Sequence, residues 1–293
     1  MLPLVSVRTV TYNHDKYIAQ CLEGILMQRT SFPFEMVVGE DCSTDRTREI
    51  VLAYEKKYPD KIRVITSETN VGPNQNALRV QQACRGKYQA YCEGDDYWID
   101  PLKLQKQVDF METHPDVPMC FHNLFYLKEG SFKVRLYFRS TMKEFLTFED
   151  ACSVHIHLSS VLARSEVVAS LPAWRVNVWN GDVVLRLWCA HHGNLGYLND
   201  IMSVYRKHPG GLTTSMRAFS EKRYSEGMYL YRQFDEDTQF QHTTFLQAQI
   251  QQVGEKYQHE RLGKLYYLLH PKKIIAILRE YYTGFIEWMK SGL

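Results

Sequence analysis

Two rhythms of apolar positions alternate along the first hundred residues. Val5–Val10 is a short apolar-rich run of strand type. From Lys16 to Gln28, residues Tyr17, Ile18, Cys21, Leu22, Ile25 and Leu26 fall on one face of a helix. Phe34–Gly39 is a second strand. The N-cap-rich segment Glu40-Asp41-Cys42-Ser43-Thr44-Asp45 then precedes a helix to about Lys57 that carries Ile50, Val51 and Tyr54. Ile62–Thr66 reads as a third strand, Asn70–Asn74 as a loop opening a helix to about Cys84, and Tyr88–Cys92 as a fourth strand. Strands alternating with helices predict an α/β fold with a mostly parallel sheet and helices on both faces.

Beyond Pro101 a helix carries Leu104, Val108 and Met111, and residues 117–139 read as a strand pair around Glu129-Gly130. His157–Arg164 is a strand candidate, Asp182–His191 a helix closed by Gly193, and Leu195–Tyr205 two short strands. From about Ala218 the pattern is helical, and Pro271 starts a last helix. In that helix Ile274, Leu278, Tyr281, Phe285 and Met289 share a face edged by Lys272, Lys273, Arg279 and Lys290. The one boundary falls near residue 212, after His208-Pro209-Gly210-Gly211, and separates residues 1–212 from a helical extension, 213–293.

Composition narrows the class. The chain has 293 residues, with 35 Lys and Arg against 33 Asp and Glu, which excludes the dense basic face of a nucleic-acid-wrapping protein. The seven scattered cysteines include no Cys-x-x-Cys pair, so a zinc site and a disulfide framework are not expected and a reducing compartment is. The first residues lack a basic segment followed by a long apolar one, and no uncharged apolar run has membrane-spanning length. The expectation is a cytoplasmic protein.

The candidate chemistry lies at the strand ends. Tyr88–Cys92 runs directly into Glu93-Gly94-Asp95-Asp96, three carboxylates that a packed core would not tolerate unpaired. A strand that delivers clustered carboxylates is suited to hold a divalent cation beside a phosphate. Polar clusters also follow the first strand (Thr9–Asp15) and the second (Glu40–Asp45). Parallel sheets bind ligands at the carboxyl ends of their strands, so the three clusters define one edge.

In that order the segments resemble the inverting GT-A glycosyltransferases of sequence family 2. Val5–Asn13 is similar to the family's opening strand and Glu40–Thr47 to its acidic turn. Asn70-x-Gly72 is similar to its third-strand loop, and Glu93-Gly94-Asp95-Asp96 stands at its metal motif, followed by Trp98, Pro101, Lys103 and Leu104. Gly181-Asp182 and Tyr205–His208 resemble later motifs. The likeness covers residues 4–209, with a nucleotide-sugar-binding half at 1–105 and an acceptor-binding half at 106–212. Glu40 and Glu93 stand where Asp is commoner in the family, and Cys42 where Gly is.

The resemblance implies transfer of a sugar, with inversion, from a nucleotide-diphosphate donor, UDP-linked before others, to a hydroxyl of a glycan or lipid-linked glycan. It assigns Asp182 as general base, and Thr9, Tyr12, Asn13, Glu40, Asp41, Asn70 and Asp95 to the donor nucleotide. Asp96, Glu93 and His208 would hold Mn²⁺ or Mg²⁺, and Arg206 would face the diphosphate. Trp179, His157 and Ser159 would line the acceptor site. By their own residue pattern, the C-terminal helices would rest on the inner face of an anionic membrane, pack on the catalytic domain or form a homodimer. Two other classes share part of this equipment. A sugar-phosphate nucleotidyltransferase needs a glycine-rich basic loop after the first strand, where Thr11-Tyr12-Asn13-His14-Asp15 stands. A non-catalytic nucleotide-sugar-binding module has no use for Asp182.

Overall fold

A computed structural model describes residues 2–131, 133–140, 142–211 and 221–269. The proposed last helix, Lys272–Leu293, lies outside the described residues.

The first half follows the sequence pattern. Strand β1 (Val5–Thr11) leads through α1 (Ile18–Leu26) to β2 (Phe34–Glu40), and α2 (Thr47–Lys57) leads to β3 (Ile62–Ile65). Helix α3 (Pro73–Ala83) then leads to β4 (Tyr88–Tyr91). The four strands are parallel in the order β3-β2-β1-β4. The remaining elements are β5 (Tyr97–Trp98), α4 (Lys103–Thr113), β6 (Met119–Lys128), β7 (Val134–Leu136), β8 (Phe145–Leu146) and α5 (Phe148–Ser153). They continue with β9 (Leu162–Arg164), α6 (Ser165–Ala169), α7 (Gly181–His192), β10 (Leu195–Lys207), α8 (Glu221–Asp237) and α9 (Thr243–Leu269). The sheet runs on from β4 through β9, β6 and β10 to β5; β9 is antiparallel to β4 and β6, so the sheet is mixed.

Alternation along the strands sorts two cores. Val5 and Val7 of β1, Met36 and Val38 of β2 and Ala90 of β4 pack with α1 and α4 on one face. On the other, Tyr91, Met119 and Phe121 pack with α5, α6 and α7, and Leu230, Phe234 and Leu246 of α8 and α9 join the same cluster. Among the described residues no helix is long and apolar enough to cross a membrane.

Three local expectations change. Leu195–Lys207 is one strand, not two; its pairing with β6 shifts register around Ile201, and that irregularity mimics a break in the sequence. His157–Arg164 divides into a 3-10 turn, Leu158–Ser160, and the short β9. Gly193 does follow α7, but its φ of 162° is extended backbone rather than a left-handed cap. A Cβ there would lie 2.5 Å from the Asp116 carbonyl oxygen, so close approach is what demands glycine.

The element that most affects the site is β5. Tyr97 and Trp98 pair with Val204 and Ser203 of β10, which draws the acidic turn against the Tyr205–His208 segment, more than a hundred residues away in sequence.

Candidate active site

The carboxyl ends of β1, β2 and β4 meet at one cavity of about 470 Å³. The acidic turn is pinned alongside β1: the amides of Cys92 and Gly94 donate to the carbonyls of Arg8 and Val10, each at 3.0 Å. Gly94 lies so close to β1 that a Cβ would sit 2.6 Å from Thr11 Oγ1 and 2.9 Å from His14 Nδ1. From the other half, α7 contributes Asp182 in its first turn, and the segments around His157, Trp179 and Tyr205–Gly211 complete the walls.

The three acids of the turn have different environments. Asp95 Oδ2 accepts from His208 Nε2 at 3.0 Å, and His14 Nε2 lies 4.0 Å from the same oxygen. Burial pushes the Asp95 carboxyl up, but the His208 hydrogen bond and the charges of His14 and His208 outweigh it and hold it below the usual range. Asp96 is only 2% exposed; its Oδ1 accepts the Arg206 amide at 2.8 Å, and His157 Nδ1 lies 3.5 Å from its Oδ2. Burial, then the neighbouring Asp95, raises its pKa well above the ordinary value. Glu93 lines the cavity with Oε2 buried and without a hydrogen-bond partner, and burial followed by Asp95 pushes it up to about 7, against the opposing charge of Arg8. The turn thus pairs an ionised Asp95 with two acids whose surroundings favour the protonated form.

The Glu93 shift has a consequence for stability. A carboxyl raised from 4.5 to about 7 in the folded state binds its proton more tightly than in the unfolded chain, so its contribution is complete below pH 4.5 and is lost as pH rises through 7. Glu93→Gln is therefore expected to stabilise the metal-free protein at pH 8 by on the order of 2 kcal/mol and to change little at pH 5. Urea unfolding in EDTA at both pH values checks this; equal effects at the two would contradict it.

At the end of β2, Asp41 is buried. Its two oxygens accept the Val71 and Gly72 amides, each at 2.9 Å, which fixes the loop after β3 at the cavity edge. Asn70 Oδ1 accepts the Gly72 amide as well, and Gly72 adopts a φ of 86°. Tyr12 is exposed on the cavity wall, and Arg206 lines it with its guanidinium over the Tyr17 and Tyr97 rings. His157 lines the opposite wall, its ring 4.0 Å from that of Tyr205; burial, then His155, takes its pKa down to about 3, so it is neutral.

Four residues that the resemblance assigned do not line this cavity. Thr9 is buried within β1 on the face of Val5 and Val7, whereas Thr11, on the same face, ends the strand and reaches the cavity. Glu40 is fully buried, accepting from the Ser43 amide and from Arg48 Nε at 2.5 Å, so it locks the turn before α2. Asn13 Oδ1 accepts the Thr44 amide at 2.8 Å and its own amide donates to Ser43 Oγ, which ties the ends of β1 and β2 together. Ser159 is buried beneath the wall, its Oγ 3.0 Å from His157 Nδ1 and 3.4 Å from Ser203 Oγ. Of the assigned metal set, His208 groups with Asp95, while Asp96 and Glu93 stand beside that group rather than in it. His14, Arg8 and Arg175 line the cavity too, and no motif in the sequence marks Arg8 or Arg175. The only sequence signal for His14 was its place in the polar turn after β1.

The donor set suits a divalent ion. Imidazole nitrogens of His14 and His208 and a carboxylate oxygen of Asp95 lie within 4.8 Å of one another, a nitrogen–oxygen mixture that first-row transition ions accept.

A mixed sheet with this edge, flanked by helices and followed by C-terminal helices, is the GT-A-like architecture of nucleotide-sugar-dependent transferases. The chain belongs to glycosyl transferase family 2, whose model matches residues 6–162. An uncharacterised protein of Mycobacterium tuberculosis is 36% identical over 221 residues, 75% of this chain and 62% of that protein. The chain thus spans about three-fifths of that relative's length. A crystal structure of Staphylococcus aureus TarS 1–349 in complex with UDP-GlcNAc matches with a TM-score of 0.61 at 20% identity, over 79% of this chain and 66% of that one. The mannosyltransferase PcManGT from Pyrobaculum calidifontis, in complex with GDP-Man and Mn²⁺, matches with a TM-score of 0.61 at 15% identity, over 97% of this chain and 83% of that one.

Proposed function

We propose that this glycosyltransferase moves a sugar from a nucleoside-diphosphate donor, a UDP-sugar before others, to a hydroxyl of a glycan or lipid-linked glycan, with inversion in a single displacement. The observation that carries the reading is that Asp182 opens into the same cavity as Asp41, Asp95 and His208. One enclosure thus offers a base, a nucleotide edge and a cation-binding group. Family membership favours this over a nucleotidyltransferase, and Asp182 favours it over a binding module.

Each role follows from position. The Asp182 carboxylate takes the acceptor hydroxyl's proton as that oxygen bonds to the anomeric carbon and the bond to the diphosphate breaks. Asp41 keeps free lone pairs beside the Val71 and Gly72 amides and accepts a pyrimidine N–H; Tyr12 and Asn70 flank the base and ribose. Arg206 faces the diphosphate. Trp179 offers an aromatic face to a sugar, and His157, steadied by Ser159, lines the acceptor side. Mn²⁺ or Mg²⁺, when bound, offsets the charge that develops on the departing diphosphate.

Thermal unfolding with a panel of nucleotide sugars, with and without Mn²⁺, tests the donor class. The matching donor at one hundred times its Kd adds about 2.7 kcal/mol of stability. A panel without any stabilising donor overturns the reading.

A further inference from the structure

Among the described residues, one group of imidazole and carboxylate donors closes to within 4.8 Å, and it includes a histidine from outside the acidic motif. We propose that His14 is a ligand of the divalent cation together with Asp95 and His208. This two-imidazole, one-carboxylate set then makes the site prefer Mn²⁺ and later first-row ions to Mg²⁺. The inference rests on the reading of the cavity as a cation-dependent site.

The backbone of His14 is held from both sides. It follows Asn13, whose φ of 56° is fixed by the clamp to Ser43 and Thr44. The His14 amide donates to Thr47 Oγ1 at 2.7 Å, and its carbonyl accepts the amides of Tyr17 and Ile18 where α1 begins. A side chain anchored this way enters the site with little ordering left to do.

The ring is aimed as well. Thr11 Oγ1 lies 3.3 Å from Nδ1, so the nitrogen that faces Asp95 is Nε2. An outer hydrogen bond that orients the free nitrogen is the usual support of a metal-bound imidazole. Gly94 leaves the room: a side chain there would meet both Thr11 Oγ1 and His14 Nδ1. The His14 and His208 rings meet edge to face at 5.9 Å, and Tyr17 backs His208 at 4.5 Å.

At 4.0 Å, His14 Nε2 is too far from Asp95 Oδ2 for a hydrogen bond, yet it points at that oxygen. Among the described residues the ion-pair partners of Asp95 are the two imidazoles, and neither Lys nor Arg fills the place of a cation. Mg²⁺ favours oxygen donors and its own waters, whereas imidazole nitrogen favours transition ions, with affinity rising from Mn²⁺ to Co²⁺ to Ni²⁺.

The test is metal binding by the full chain without any nucleotide or acceptor, so its outcome does not depend on whether transfer is observed. Titration of free Mn²⁺ by electron paramagnetic resonance, with Mg²⁺ as competitor, should show Mn²⁺ bound more tightly than Mg²⁺. His14→Ala should weaken Mn²⁺ about tenfold or more while affecting Mg²⁺ far less. Electron spin-echo modulation of bound Mn²⁺ should report two coordinated imidazole nitrogens in the wild type and one in His14→Ala or His208→Ala. If His14→Ala does not fold, the wild-type nitrogen count decides alone. A single coordinated nitrogen in the wild type, unchanged Mn²⁺ affinity in His14→Ala, or equal affinity for Mg²⁺ and Mn²⁺ overturns the proposal. Donor-dependent stabilisation that persists alongside such a result would sink only the His14 assignment; loss of both would sink the functional reading as well.

Discussion

Asp182→Asn is expected to lower transfer about 10³-fold while leaving donor affinity unchanged. Asn keeps the shape of the side chain and its place in the first turn of α7, but it cannot take up the acceptor's proton. The proposed nucleotide edge around Asp41 and the proposed cation group around Asp95 lie on other elements, so both should survive the change. Turnover at saturating donor and acceptor, set beside donor binding by calorimetry, separates the two effects. A variant that keeps more than about a tenth of wild-type turnover would remove Asp182 from the role of base.

Gly94→Ala is expected to damage stability and activity together. Its Cβ would lie 2.8 Å from Thr11 Cβ as well as 2.6 Å from Thr11 Oγ1, closer than real contacts allow, so the end of β1 or the acidic turn must shift. Overpacking of this kind costs about 1–3 kcal/mol. The shift also misplaces His14 and Asp95, and an error of about 1 Å at reacting groups costs roughly 10²-fold in rate. Urea unfolding and steady-state kinetics on one preparation check both. Full activity at wild-type stability would show that the turn has slack where the structure has none.

These two residues also show what the sequence discloses. The acidic turn and the polar end of β1 were visible because each interrupts a hydrophobic strand, and strand periodicity needs only local sequence. Asp182 was visible as an acid opening an apolar helix. Which end of a carboxylate meets which partner was not visible. Glu40 and Asp41 are adjacent acids of similar appearance, yet one locks a turn through Arg48 and the other holds the Asn70–Gly72 loop at the cavity. Thr9 and Thr11 share a strand, but only Thr11 comes at its open end. A strand as short as β5 has no periodicity to read, although its pairing with β10 places His208 beside Asp95. The close approach at Gly94 likewise exists only once β1 and the acidic turn are side by side.

In the proposed reaction, one cavity holds a nucleotide sugar and hands its sugar to a hydroxyl that attacks from the opposite face. The most direct measurement is the anomeric-proton NMR spectrum of the product formed from the preferred donor, recorded during turnover with Mn²⁺ and a glycan or lipid-linked glycan acceptor. The donor should be consumed, its nucleoside diphosphate released, and the new linkage should have the anomeric configuration opposite to the donor's. A product that retains the donor's configuration, or a donor that stays intact, would contradict the proposed reaction.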